Sequence, residues 1–259
     1  MPKLNSTIIK IDIKTKKELK KDFLGAVFRG WLGYVLKCNP KEDCKDCFDT
    51  FCPYFMVFKE KNDVKPFSLA CFKDKEIIRG YIKLYGDRMD FASEIWSLIK
   101  EKEEYTHFGG MDYRIESIKA EKLKIPNYKL QDSTLINFVT PVCLMRNRRV
   151  EVIPSFNTIL KSSIRAFNRI TKYYDKENYP YTVPDEVFNA KATIQDFNVK
   201  TFKYKHTNLY NKKIILEGII GWIKYDTKDL PEETGQVLKI GSKLQIGKHT
   251  AYGFGLIRG

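Results

Sequence analysis

Histidine is scarce in this sequence, which holds only three among its 259 residues. Candidates for an imidazole acid or base are therefore few. Long apolar runs are also missing, because no stretch approaches the roughly eighteen apolar residues that a membrane-spanning helix needs. The N-terminal stretch has no continuous apolar segment followed by a small-residue cleavage motif, which excludes a recognisable secretory signal. These absences lead us to expect a soluble, cytoplasmic protein.

The composition is that of a folded and strongly basic chain. Hydrophobic residues make up 43% and aromatic residues 14%, so the chain can bury a core. The formal net charge is +14 and the isoelectric point is near 9.3, with lysine and arginine spread along the chain. This excess favours a polyanionic partner, and nucleic acid fits best because the many tyrosines and phenylalanines offer rings for base stacking. The alternative is a lysine-rich surface that is simply solvated.

Four cysteines lie within fifteen residues in the order C-x5-C-x2-C-x4-C-P. Thiolates at this spacing can converge on one tetrahedral metal ion, so we predict a structural metal site. Zinc is favoured, and an iron–sulfur cluster stays open because a proline follows the last cysteine. Intracellular disulfides or isolated buried cysteines are the alternatives. The predicted ligands are Cys38, Cys44, Cys47 and Cys52.

The hydrophobic periodicity predicts strands and helices in a repeated order. In the first half we predict strands at 9–13, 54–59, 67–72, 77–85 and 114–119, and helices at 22–37 and 90–102. In the second half we predict strands at 134–144, 194–205 and 214–225, helices at 156–174 and 231–244, and a short terminal strand. Each half then reads strand, helix, strands, helix, strand, which is the order of the ferredoxin-like βαββαβ arrangement. We therefore predict an α+β protein with two tandem ferredoxin-like, RRM-like domains, 1–127 and 128–259, the first carrying the metal-stapled cysteine loop.

The last nineteen residues contain five glycines and form a cationic loop before the terminal strand. Glycine lets a ligand approach the main chain closely, so we expect the loop to expose peptide N–H groups to a phosphate backbone. The predicted N–H donors are Gly247, Gly253 and Gly255, with positive charge from Lys248, His249 and Arg258. The alternative is an ordinary turn made of permissive residues.

Four stretches of the sequence resemble one family in the same order. They are FRGWLGYVLKC with the cysteines and CPY (28–54), FVTPVCLM with the following basic helix (138–172), EGIIGWIKY (217–225) and IGKHTAYGFG (246–255). The family is that of the CRISPR-associated endoribonucleases of the RAMP superfamily, which cleave repeat RNA. The resemblance implies two ferredoxin-like domains and metal-independent processing of precursor CRISPR RNA into guide RNAs. It also implies attack by a ribose 2′-OH, which leaves a 2′,3′-cyclic phosphate and a 5′-OH.

This reaction requires a base, an acid and a cation near the phosphate. Within the loop we predict His249 as acid or base and Lys248 as the charge stabiliser. His206 is the second histidine candidate, and Tyr252 is a candidate proton donor or stacking group. Further phosphate contacts are predicted from basic residues on the second-half helix and just before it, namely Arg146, Arg148, Arg149, Lys161, Arg165 and Arg169.

Two rival functions stay open at the level of sequence. A non-catalytic RNA-binding RAMP subunit of a CRISPR effector complex would share the fold and the glycine loop, and the shortage of histidine fits it. A zinc-stapled DNA-binding module is the second alternative, although no recognition-helix signature accompanies the cysteines. The sequence predicts neither the repeat that is bound nor the oligomeric state.

Overall fold

The computed structural model of the protein describes residues 3–21, 23–38, 52–59, 62–189, 191–207 and 213–259. These residues divide into two units, an N-terminal unit spanning Leu4–Leu123 and a C-terminal unit spanning Lys124–Gly259. Each unit carries one four-stranded sheet. Among the helices of the described ranges, none combines the length and the apolar composition that a membrane crossing requires.

The N-terminal unit has its strands in the order β2-β3-β1-β4, and every neighbouring pair is antiparallel. Its elements are β1 (Ser6–Thr15), α1 (Leu24–Val35), α2 (Pro53–Phe58), β2 (Phe67–Asp74), β3 (Ile77–Tyr85), α3 (Ala92–Glu101) and β4 (Tyr113–Lys122). The isoleucines Ile9, Ile11 and Ile13 alternate along β1 and are at most 1% exposed. Period-two alternation places all three on one face of the sheet, where α1 packs with Phe28 close over Gly80 of β3.

One predicted strand of this unit is wrong. Residues 54–59 were expected to be extended, whereas Pro53–Phe58 forms the helix α2. Proline is favoured at the first helical position because its missing N–H has no helical acceptor there. A six-residue apolar run has no helical or extended periodicity of its own, so Pro53 at the first helical position is the local signal that favours the helix. Asp22, predicted as the first residue of helix 22–37, lies outside the described residues, and α1 begins at Leu24.

The C-terminal unit repeats the arrangement, with sheet order β10-β5-β9-β8 and antiparallel neighbours. Its elements are β5 (Ser133–Val142), β6 (Met145–Arg146), β7 (Arg149–Val150), α4 (Phe156–Tyr174), α5 (Asp185–Asn189), β8 (Thr193–Thr207), β9 (Lys213–Asp226), α6 (Glu233–Leu244) and β10 (Ile257–Arg258). If only the strands of each four-stranded sheet are counted, in chain order, the two major helices follow the first and the third strand in both units. The first strand lies between the third and the fourth in the sheet. Apart from the wrong strand at 54–59, the short helices α2 and α5 and the β6–β7 hairpin, each unit has the predicted order of strand, helix, two strands, helix, strand.

Helix α4 supports the C-terminal unit because its apolar stripe faces the sheet. Ser155 caps it by accepting the N–H of Thr158 at 3.2 Å. Ile159 and Phe167 are fully buried beneath the helix. The opposite face of α4 is solvent-exposed and basic, so the helix presents positive charge at the surface while it fills the core.

Candidate active site

The candidate site is built on the loop of residues 245–255, which joins α6 to β10. Its base is closed by two hydrogen bonds: the N–H of Ile246 donates to the Gly255 carbonyl at 2.9 Å, and Gln245 Nε2 donates to the Phe254 carbonyl at 2.6 Å. Gln245 is buried and has φ 67° and ψ 142°, a conformation that non-glycine residues rarely adopt. The side-chain bond of Gln245 therefore helps to hold a strained turn that starts the loop.

The loop is also fastened to β5 and α4. The N–H of Lys248 donates to the Cys143 carbonyl at 3.0 Å, and the N–H of Gly247 donates to Ser162 Oγ at 3.0 Å. Ser162 lies on α4, so this bond joins the loop to the helix that carries the exposed basic face. Ser162 was missed by the sequence analysis because it is 85 positions away from its partner.

The three glycines of the loop adopt backbone angles that other residues rarely adopt. Gly247, Gly253 and Gly255 have φ of +80°, +97° and +92°. Their N–H groups donate within the fold, to Ser162 Oγ and to the carbonyls of Thr250 and Pro141. We predicted that these N–H groups meet a phosphate, and in the structure they are used internally. Contact of these glycines with RNA by other atoms stays a prediction.

A cavity of about 190 Å³ opens between the loop and α4. Lys248, Arg165 and Arg169 all line it, so two of the predicted basic helix residues and the loop lysine are brought to one place. Arg165 and Arg169 are one helical turn apart on the exposed face of α4, and Lys161 lies one turn earlier on the same face. The remaining lining residues are Cys143, Leu144, Met145, Thr158, Ser162, Ala166 and Gly247. A concavity with three cations and two hydroxyl groups is suited to an anion of phosphate type.

His249 follows Lys248 and is half-buried, with its ring edge-on to Phe254 at 5.6 Å between centroids. Burial lowers the pKa of this imidazole below its usual value, and the positive charge of Lys248 lowers the pKa further. A histidine of lowered pKa is neutral at pH 7 and can accept a proton. The backbone at His249 is left-handed, with φ 65°.

His206 and Tyr252, the other catalytic candidates, are in contact. Their ring centroids are 5.2 Å apart at an interplanar angle of 72°. His206 projects from β8, and from the same strand Phe202 packs edge-on against Phe254 at 5.9 Å. Phe254 therefore contacts Phe202 of β8 as well as His249, so the loop that carries His249 and Tyr252 packs against β8 at two places, at Phe202 and at His206. The packing role of Phe202 and Phe254 was missed, because the sequence does not show which rings meet.

The three arginines before α4 lie on the β6–β7 hairpin. Asn147 and Arg148 form its turn with φ of 49° and 63°. Arg146 and Arg149 are paired across it, and Arg146 approaches Glu151 at 3.9 Å. All three arginines are exposed, but none is among the residues that line the cavity. Their predicted contact with RNA therefore concerns the surface beside the cavity.

The predicted metal site is described only in part. Cys44 and Cys47 lie outside the described residues, whereas Cys38 is exposed after α1 and Cys52 is buried before α2. Among the residues that the structure does describe, no three histidine, cysteine or acidic side chains are grouped to hold a metal ion. The two helices that flank the cysteine segment lie together, since a Cβ on Gly33 of α1 would be 3.7 Å from the Tyr54 ring of α2. The other two cysteines, Cys71 and Cys143, are buried, and burial raises the pKa of both thiols.

Comparison with known proteins confirms the resemblance predicted from the sequence. The family model described as CRISPR-associated endoribonuclease Cas6 matches residues 136–257, which include the loop, the cavity and the ring contacts between the loop and β8. Two solved Cas6 product complexes are each 14% identical, with TM-scores of 0.62 and 0.63. They align over 98% of this chain and 99% and 98% of theirs. A structure of Thermus thermophilus Cas6 is 15% identical over 98% of both chains, with a TM-score of 0.61. At this identity the matches show a shared fold, and no curated protein sequence matches the chain.

Proposed function

Because the chain resembles the Cas6 endoribonucleases, we propose that it binds CRISPR repeat RNA and cleaves precursor transcripts within each repeat to release guide RNAs. The observation that supports this function most is the convergence of four predicted catalytic residues on one end of the C-terminal unit. His206 and Tyr252 are in ring contact, and His249 and Lys248 follow each other on the same loop beside a basic cavity. Such a set supplies a base, an acid and a cation together.

The proposed reaction uses the ribose 2′-OH as nucleophile. His249, neutral because of its lowered pKa, accepts the 2′-proton while the 2′-oxygen forms a bond to the adjacent phosphorus. The ammonium group of Lys248 stabilises the charge that develops on the phosphoryl oxygens. His206 or Tyr252 donates a proton to the departing 5′-oxygen as the P–O5′ bond breaks. The products are a 2′,3′-cyclic phosphate and a 5′-OH, and each of these steps is performed by a side chain without a metal ion.

Arg165 and Arg169 are proposed to hold the phosphates that flank the scissile bond, because guanidinium groups bind phosphate through two parallel hydrogen bonds. Lys161 and the hairpin residues Arg146, Arg148 and Arg149 extend the positive surface beside them. Binding through such contacts weakens as salt rises, since neutralised phosphates release counterions.

The function is tested with a transcript that carries two repeats. We expect the purified protein to cut it once in each repeat, at equal rates with magnesium and with an excess of EDTA. A cleavage rate that depends on a divalent metal ion would contradict the metal-independent mechanism. Tight binding of the repeat without any cleavage would favour the alternative, a non-catalytic RNA-binding subunit of a CRISPR effector complex.

Burial is the larger cause of the lowered pKa of His249, and the charge of Lys248 is expected to extend the pH range of the reaction further toward acid. Because its ammonium group disfavours the imidazolium form of His249, Lys248→Gln should raise the pKa of His249. The base must be neutral, so the rate rises as pH increases through that pKa, and the variant's acid limb should move to higher pH. The measurement is the single-turnover rate from pH 4.5 to 8, with the His249 ring titrated by NMR. An unmoved acid limb would mean that His249 is not the base.

We further propose that Cys38, Cys44, Cys47 and Cys52 bind one structural zinc ion, with an iron–sulfur cluster as the alternative. The proposal is supported by the contact between α1 and α2, the helices that border the segment, because four ligands of one ion need the two ends of their segment near each other. Such a site has no open position, so the ion would fasten the segment and take no part in cleavage.

Elemental analysis is expected to find one zinc ion per chain and to lose it in Cys52→Ser. The variant should also melt at a lower temperature, because a structural zinc ion stabilises only the folded chain. Cys71→Ala, which alters a buried cysteine outside the motif, should keep the metal. A chain without zinc would disprove the proposed ion, and an absorption band in the visible range would instead identify a cluster.

A further inference from the structure

One row of side chains crosses three strands of the C-terminal sheet. Asn137 of β5 pairs directly with Trp222 of β9, and Trp222 pairs directly with Asn198 of β8. Directly paired residues of antiparallel strands carry their side chains on the same face, with Cβ atoms about 4.5–5.5 Å apart. The indole therefore lies between two amides.

The row lies on the face opposite the helices. The neighbouring residues Ile136 and Ile223 are fully buried in the core that α4 and α6 cover. Successive residues of a strand point to opposite faces, so Asn137 and Trp222 face away from that core. Asn198 is exposed, whereas Asn137 and Trp222 are half-buried. The row is thus open to a ligand at least along β8.

Hydrogen-bonding groups of the row are unused. Across the ranges that the structure describes, neither the two amides nor the indole N–H forms a side-chain hydrogen bond. An asparagine amide offers two donors and a carbonyl acceptor, so the row presents both types of group on either side of a large aromatic ring.

Positive charge flanks the row. Lys224 and Lys200 are exposed and follow Trp222 and Asn198 by two residues, which places them on the same face. No ion pair joins either lysine to an acid within the described part of the chain. Asp196, which pairs with Lys224 across the strands, accepts the N–H of Phe197 at 2.8 Å. Asp226 lies two residues beyond Lys224, and Arg258 pairs directly with Asn137, so three cations and two acids border the row and the excess of positive charge is small.

We propose that this face binds an unpaired segment of RNA. Trp222 stacks on one base, the amides of Asn137 and Asn198 bond the edges of that base or its neighbour, and Lys200 and Lys224 contact phosphates. Every base has an aromatic face, and a sheet with exposed aromatic residues is a known platform for single strands. Polar groups on both sides of the ring fit a base better than an apolar protein partner. The inference rests on the proposed function, because it assumes that the substrate is RNA, and it specifies where the single-stranded part is held.

The variant Trp222→Ala is tested for binding to two RNA probes. One probe is an unstructured single strand, and the other is a closed hairpin without flanking nucleotides. Both carry 2′-deoxyriboses so that cleavage does not interfere. The variant is expected to bind the single strand about 5- to 150-fold more weakly, as loss of one stacked base requires. Its affinity for the hairpin should change less than about twofold. Trp222→Phe, which keeps a ring, should recover most of the binding. Trp96→Phe, a change on α3, should bind like the unaltered protein.

Intrinsic fluorescence supplies the second measurement, because the chain has only three tryptophans. The single strand should quench the unaltered protein and Trp96→Phe, but should not quench Trp222→Phe. Undiminished single-strand affinity in Trp222→Ala would overturn the proposal, and so would an equal loss for both probes. An altered oligomeric state with unchanged RNA affinity would show that the face binds a second copy instead.

The outcome is separable from that of the proposed function. Single-strand binding through Trp222 in a protein that never cuts repeat RNA would support the platform and disprove the nuclease. Normal cleavage with no effect of Trp222→Ala on single-strand binding would support the nuclease and disprove single-strand binding at this face.

Discussion

His249→Asn is expected to slow cleavage of repeat RNA by about 10²- to 10⁴-fold, the usual effect of removing a general base. Asparagine has no group that titrates near pH 7, so it cannot accept the 2′-proton. It is the preferred replacement because the backbone at residue 249 has φ 65°, a left-handed conformation that asparagine tolerates better than alanine. The loop should therefore keep its shape while the chemistry is lost.

The rate is measured in single-turnover conditions with the enzyme in excess, so that product release does not limit it. Affinity for an uncleavable 2′-deoxy repeat should stay within about twofold, and the melting temperature should stay within about 2 °C. His206→Asn is expected to have a smaller effect, since Tyr252 lies beside it and can also supply a proton. Cleavage by His249→Asn at the unaltered rate would place the chemistry elsewhere in the chain.

Gly255→Ala is expected to reduce the free energy of unfolding by about 2–5 kcal/mol, from left-handed strain together with steric overlap. Gly255 is buried at φ +92°, and a Cβ there would overlap the carbonyl oxygen of Ile246. That carbonyl is part of the chain segment that closes the base of the loop. The neighbouring N–H of Gly255 donates to the Pro141 carbonyl at 2.8 Å, so the residue has little room to move. We expect loss of the loop's shape and, with it, loss of cleavage.

Gly30→Ala is the matched control. Gly30 lies within α1, and a Cβ there would meet no atom within 4 Å. Alanine favours the helix and restricts the unfolded chain, so this change should stabilise the protein by about 0.4–1 kcal/mol. Both variants are compared by denaturant unfolding. Equal stability of Gly255→Ala and the unaltered protein would show that the glycine is not required by the loop conformation.

The element order could be predicted because most segments have clear periodicity. Ile9, Ile11 and Ile13 alternate and form β1, while apolar residues recur at helical spacing through 156–174 and form α4 with those bounds. The segment 54–59 was assigned to a strand because five consecutive apolar residues fit either conformation and the effect of Pro53 was overlooked. Local pattern thus predicts a long element well and a short apolar one poorly.

The candidate site was predicted where its residues are close in sequence or carry distinctive chemistry. Lys248, His249 and Tyr252 share one loop, and His206 was found because histidine is so scarce. The supporting residues were missed because their partners are distant in sequence, as with Ser162 and Gly247, or are chosen by tertiary packing, as with Phe202 and Phe254. The glycines were assigned to phosphate binding because a sequence does not show which peptide N–H groups the fold itself uses.

The proposed nuclease is tested most directly by one chemical change in the RNA. Two repeat RNAs are compared with EDTA present, one unaltered and one with a single 2′-deoxyribose at the scissile nucleotide. If the 2′-OH is the nucleophile, the unaltered RNA should be cut to a product ending in a 2′,3′-cyclic phosphate, and the deoxy RNA should be bound but left intact. Cleavage of the deoxy RNA at the same position, or binding of both RNAs without cleavage of either, would contradict the proposed function.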